Sequence, residues 1–156
     1  MKVYNQISHD MVIPELESET RDDVLKEMVV FLKKKNKTGK ERDLYDKLIQ
    51  REKLGSTAIG DGVAIPHCKM KGIKSPIVLL GISKKGVDFH SLDRKPSHIF
   101  FLVISSPDNP SMNLQILAAI AQLVRKSKNV IRRIKDAENI NAILEAIQGE
   151  EDRLGE

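Results

Sequence analysis

Two uninterrupted apolar runs constrain this chain more than any other feature: Pro76-Ile77-Val78-Leu79-Leu80-Gly81-Ile82 and His98-Ile99-Phe100-Phe101-Leu102-Val103-Ile104. A strand with one wet face alternates apolar and polar residues. A run without alternation, bounded by breakers, is the pattern of a strand buried in a sheet. Such strands need covering layers, and the sequence on both sides of them has helical periodicity. Thr20 and Asp23 stand at capping-box spacing and open a helix over 21–34, with Val24, Met28, Phe31 and Leu32 on one face. A second helix over 40–53 carries Leu44, Tyr45, Leu48 and Ile49, and Gly55 is placed to end it. Asn109-Pro110 has the chemistry of an N-cap followed by the first helical residue. It opens a helix over 110–126 with Leu114, Leu117, Ala118, Ala121 and Val124 as its buried residues.

The remaining segments are shorter. Residues 1–19, broken by Pro14, read as a short strand or extended arm. Lys84-Lys85-Gly86 reads as a turn before a short strand at Val87-Asp88-Phe89. Helices over 128–135 and 138–148 follow, with Gly149 ending the second and 150–156 forming a polar tail that frays. Helices flanking a group of strands make the class α/β with a central mixed β-sheet, in a single domain over 1–156.

Composition narrows the function classes. No apolar run approaches the roughly 20 residues that span a bilayer, so no membrane insertion is expected, and no secretory signal opens the chain. The one cysteine, Cys68, excludes an internal disulfide and a Cys₂His₂ zinc site, and fits a reducing cytoplasm. No metal or cofactor is expected. The net charge of +4 comes from 26 basic and 22 acidic residues. The basic groups at 33–40 and 125–135 suit helix ends. With 4% aromatic residues and no Trp there is no base-stacking platform, so nucleic acid is not an expected partner.

One short stretch carries chemistry. In Gly60-Asp61-Gly62-Val63-Ala64-Ile65-Pro66-His67-Cys68, two glycines make a turn, three apolar residues make a strand, and Pro66 stops it with His67 at its end. Proline fixes its own φ and holds Ile65 extended, so the chain reaches His67 along a nearly determined path. Set against this is a strand that simply ends beside an incidental histidine. His9, His90 and His98 lack any such presentation and read as structural or solvent-exposed. Cys68 reads as packing or partial exposure.

The longer run Arg51-Glu52-Lys53-Leu54-Gly55-Ser56-Thr57-Ala58-Ile59-Gly60-Asp61-Gly62-Val63-Ala64-Ile65-Pro66-His67 closely resembles the active-site signature of bacterial phosphotransferase-system IIA proteins of the fructose, mannitol and nitrogen-regulatory type. The resemblance spans roughly residues 5–148, with the signature over 51–68. It implies that His67 accepts a phosphoryl group from the phosphohistidine of HPr or a related carrier. It also implies that Arg51 lies near the site and helps hold phosphate or partner. Many relatives place a second active-site histidine in the first turn of the long helix. The matching residue here is Asn113, followed by Leu114. An asparagine can donate to phosphate but cannot carry positive charge. The resemblance implies a regulatory IIA of the nitrogen type that binds downstream targets, or a sugar-specific IIA that passes phosphate to a IIB cysteine. Asn113 also suits a binding module that has lost transfer.

Overall fold

In the computed structural model, which describes residues 1–155, the spine of the molecule is the second apolar run. It forms strand β6 (Ser97–Ser105), which pairs antiparallel with β5 (Ile77–Val87). On the other side of β5 lies β1 (Val12–Ile13), parallel to it. On the other side of β6 lie β3 (Val63–Ala64) and β4 (His67–Lys69), both parallel to β6. β2 (Ala58–Gly60) completes the mixed sheet, antiparallel to β3.

Both faces are covered. Ile99, Phe101 and Val103 of β6 pack with α3 (Pro110–Lys126), α4 (Val130–Asp136) and α5 (Ile140–Leu154) through Ile116, Ile120, Leu123, Ile134, Ile143 and Ile147. Phe100, Leu102 and Ile104 point the other way, toward α1 (Arg21–Lys34) and α2 (Glu41–Leu54), against Val24, Leu25, Met28, Leu44 and Leu48. This is why β6 shows no alternation: odd and even residues each have a core. Gly81 in β5 serves a close approach, since a Cβ there would stand 3.0 Å from Leu16 Cδ1 and 3.2 Å from Met28 Cε.

The caps form as their residue types dictate. Thr20 Oγ1 accepts from Asp23 N at 3.2 Å, and Asn109 Oδ1 accepts from Met112 N at 3.3 Å with Pro110 as the first helical residue. Other segments correct the expectations. The arm at 1–19 contains two 3₁₀ turns, Val3–Gln6 and His9–Met11, before β1. The turn expected at Lys84–Gly86 is an irregularity inside a continuous β5. Gly86, at φ 89°, donates to Ser83 Oγ at 3.0 Å, and the pairing register shifts between Ile82 and Val87. The fourth helix starts at Val130, because Ser127 ends α3 and its Oγ accepts from Val130 N at 3.1 Å.

The largest correction is at the C-terminus. Gly149 does not stop α5, and residues 150–154 are not a fraying tail. Glu150 and Glu151 are buried. Glu151 accepts from Val3 N at 2.7 Å and Tyr4 N at 2.9 Å, joining the last helix to the first turn of the chain. Glu150 accepts from Ser127 Oγ at 2.7 Å, Arg133 Nη1 at 2.8 Å and Arg153 Nη2 at 3.0 Å. Residue 156 of the expected tail lies outside the described residues.

Candidate active site

The Arg51-to-Thr57 run is built as a brace. Glu52, 3% exposed, accepts from Thr57 N at 3.0 Å and also from the Thr57 hydroxyl. Gly55, at φ 153°, lets the chain leave α2 sharply enough for that carboxylate to reach forward. Ser56 Oγ donates to the Phe89 carbonyl and accepts from Ala58 N at 3.0 Å. Thr57 O then accepts from Ile65 N at 3.0 Å, so the brace bonds directly to the segment that delivers His67. Glu52 and Thr57 were legible only as parts of a signature. Their pairing across five residues has no periodic signal.

Pro66 interrupts the edge of the sheet without ending it, and His67 begins β4 where it was expected to close a strand. Proline has no N–H to offer, but its carbonyl accepts from Val103 N at 2.9 Å. His67 pairs with Val103, which places the imidazole on the α3 side of the sheet. Cys68, one residue on, packs on the α1–α2 side. Burial pushes its thiol up to about 12, so it remains a protonated, unreactive thiol near neutral pH.

His67 Nδ1 lies 2.7 Å from the Ile65 carbonyl. A carbonyl only accepts, so Nδ1 carries the proton and Nε2 keeps its lone pair. Burial lowers the pKa of the ring below its ordinary value. The Ile65 carbonyl opposes that shift, Arg51 reinforces it with its positive charge, and Glu52 opposes it. The result at neutral pH is an uncharged imidazole with a fixed tautomer and one nucleophilic nitrogen. The other histidines do structural work or stay at the surface: His98 Nδ1 lies 2.9 Å from Ser83 O beside the β5 irregularity, His90 Nδ1 lies 3.4 Å from Arg21 Nη1, and His9 is exposed.

Arg51 sits in the last turn of α2, where Nη1 donates to Gly55 O at 2.8 Å. It therefore ties down the brace while its charge acts on His67. Asn113 lies on the inward stripe of α3 with Ile116, Ile120, Leu123 and Val124, one turn in from the helix start. Of the residues expected to be buried on this helix only Val124 is, and Leu114 is 65% exposed. The inward face is set one residue away from the stripe through Leu114, Leu117 and Ala121. Asn113 is 7% exposed, and its Oδ1 is buried with no hydrogen-bond partner. One residue that the sequence did not single out joins this end of the sheet. Ser105 is the last residue of β6, pairs with Lys69, is 1% exposed, and has an unpartnered Oγ. The signal for it was parity: the α3-facing positions run Ile99, Phe101, Val103 and then a serine.

Comparisons with known proteins agree with this architecture. The family model for the phosphoenolpyruvate-dependent sugar phosphotransferase system, EIIA 2, matches residues 5–150. A nitrogen regulatory protein of Bradyrhizobium diazoefficiens is 32% identical over 92% of this chain and 95% of its own length. A fructose-specific EIIABC component of Bacillus subtilis is 30% identical over 94% of this chain, which spans only 23% of that protein. Among solved structures, the nitrogen regulatory protein IIA-Ntr of Neisseria meningitidis superposes with a TM-score of 0.84 at 21% identity, over 93% of this chain and 98% of that one. The mannitol IIA of Escherichia coli superposes with a TM-score of 0.76 at 16% identity, over 90% and 98%. These two likenesses establish a shared fold.

Proposed function

The chain belongs to the EIIA type 2 family of the phosphoenolpyruvate-dependent sugar phosphotransferase system, and from that premise we propose that it is a single IIA domain acting in the cytoplasm as a phosphohistidine relay, with His67 Nε2 as the phosphoryl acceptor. The observation that carries this reading is the 2.7 Å contact between His67 Nδ1 and Ile65 O, which leaves Nε2 as the one free lone pair.

In the proposed step, Nε2 attacks the phosphorus of an HPr-type carrier's phosphohistidine. The Nε2–P bond forms as the carrier's N–P bond breaks, and the carrier imidazole leaves with that electron pair. The His67 ring becomes a phosphorylated imidazolium that still holds its Nδ1 proton, and the Ile65 carbonyl stabilises that charge. Transfer between two histidines is nearly symmetric, so the surrounding residues contribute positioning and charge more than driving force. Arg51 supplies the positive field and keeps donors beyond the one given to Gly55. Asn113 contributes neutral donors where many relatives have a histidine.

Similarity to a nitrogen regulatory protein along 92% of the chain supports a regulatory role, in which phosphorylation state governs binding to a downstream target. A second reading is sugar-specific. The 30% identity to a fructose-specific component supports onward transfer to a IIB cysteine. The test is incubation with phosphoenolpyruvate, enzyme I and an HPr-type carrier, followed by intact-mass measurement. One phosphate should appear on the wild type and be absent from His67→Ala while persisting in His90→Ala and His98→Ala. No addition under conditions that phosphorylate a IIA relative rejects the relay in favour of a binding module. Adding a IIB domain then separates the two roles, since only a sugar-specific protein empties its phosphate onto it.

A further inference from the structure

Ser91, Ser105 and Asn113 hold the buried side-chain polar atoms without a partner among the described residues. Ser105 ends β6 two residues beyond Val103, the partner of His67, and Asn113 follows eight residues later in the first turns of α3. Ser105 continues the β6 face that begins with Ile99, Phe101 and Val103, and His67 pairs with Val103 on that same face. Asn113 descends onto it from the first turns of α3. Buried polar atoms are nearly always satisfied, and an unpaired one is destabilising, so each such atom in a folded protein calls for an explanation. Here the two chemistries match. Oδ1 of an asparagine can only accept, and a serine hydroxyl can rotate to donate.

Resting on the reading of His67 as the phosphoryl acceptor, we propose that Ser105 is a positioning residue that donates its hydroxyl to Asn113 Oδ1 when a phosphoryl group stands on His67, and so turns the Asn113 amide N–H groups toward the phosphoryl oxygens. An asparagine side chain free to flip offers a dianion its carbonyl as readily as its amide, and the carbonyl repels. A donor fixed behind Oδ1 removes that alternative. The pairing gives a neutral amide a defined polarity, which a histidine at this position would not require.

The test compares phosphate acquisition from an HPr-type carrier, and the lifetime of the phosphohistidine after the carrier is removed, in wild type, Ser105→Ala and Ser105→Thr. Each is also made with Asn113→His. Thermal unfolding of every variant checks folding. Loss of one positioning hydrogen bond should slow acquisition by about tenfold in Ser105→Ala. Ser105→Thr, which keeps the hydroxyl, should restore most of the rate. With Asn113→His present, Ser105→Ala should change the rate less than about twofold, because no amide remains to orient. Equal rates and lifetimes in wild type and Ser105→Ala overturn the positioning role alone. An equal slowing in both backgrounds also overturns it, because it marks a packing effect. A wild type that takes no phosphate overturns the acceptor reading and the positioning role together.

Discussion

The two ends of this molecule treat buried polar groups in opposite ways. At the α5 end, Glu150 is enclosed and accepts from Ser127, Arg133 and Arg153, while Glu151 takes the N–H groups of Val3 and Tyr4. At the His67 end, Ser105 Oγ and Asn113 Oδ1 are enclosed with nothing bonded to them, and the imidazole offers a bare Nε2. The first arrangement is complete and rigid; it closes the chain's two termini on each other. The second keeps unused hydrogen-bonding capacity at the end of the sheet that carries the His67 imidazole. A fold can carry such unpaired groups only where the rest of the structure over-determines them. The Glu52–Thr57 brace and the double-sided packing of β6 do that here.

The strongest way to break the comparison is Glu150→Ala. It removes the acceptor from one hydroxyl and two guanidinium groups, and should cost about 2–3 kcal/mol. For a domain of this size that lowers the melting midpoint by roughly 5–10 °C. Phosphate acquisition at His67 should stay at the wild-type rate, because the deleted network does not touch that end. A thermal melt and an intact-mass time course on the same sample check both halves. A large loss of acquisition in a folded Glu150→Ala protein would mean that the two ends are coupled.

Titration should separate the ends next. The Ser127 hydroxyl, aided by Arg133 and Arg153, holds the Glu150 carboxyl at about 2 against an ordinary 4.5. The unfolded chain therefore binds a proton that the folded one refuses. That stabilisation is full above pH 4.5 and is lost as the pH falls toward 2. The His67 ring is lowered from 6.5, chiefly by burial, so again the unfolded state protonates first. Stability should begin to fall as the pH drops through 6.5, before the Glu150 contribution starts to be lost near 4.5. Denaturant midpoints from pH 8 to 3 should show that earlier onset in the wild type. His67→Ala should remove the decline that starts near 6.5, and Glu150→Ala should weaken the further decline below 4.5. The smallest effect is expected at Cys68: with its thiol at about 12, the native protein should resist iodoacetamide at pH 7.5 and react only when unfolded, read by mass.

How much was legible beforehand follows from the range of each interaction. The sheet's spine was legible because burial on both faces erases alternation, which is a local signal. The helix starts at Thr20 and Asn109 were legible because a cap bonds three residues ahead. His67 stood out through Pro66, a constraint on the immediately neighbouring backbone. Gly149 misled for the same reason. Local chemistry marks it as a stop, but Glu150 and Glu151 find partners 23 and 148 residues away in sequence, and those contacts carry the helix through it. The turn expected at Lys84–Gly86 failed likewise, because pairing with β6 resumes at Val87 and carries the strand past a locally flexible, unpaired stretch.

By itself, then, the sequence determined the layers, the caps and a histidine delivered along a fixed path, since all of these depend on residues within a turn or a strand of one another. The tertiary structure alone decided the rest. Nδ1 of His67 faces a carbonyl, leaving Nε2 as the free lone pair. Arg51 is tied to Gly55 while its field acts on the ring. Ser105 and Asn113 stand unsatisfied on the face that His67 shares. The physical reason is that hydrogen-bond satisfaction and local field are sums over neighbours in space, and a sequence does not state which residues those neighbours are.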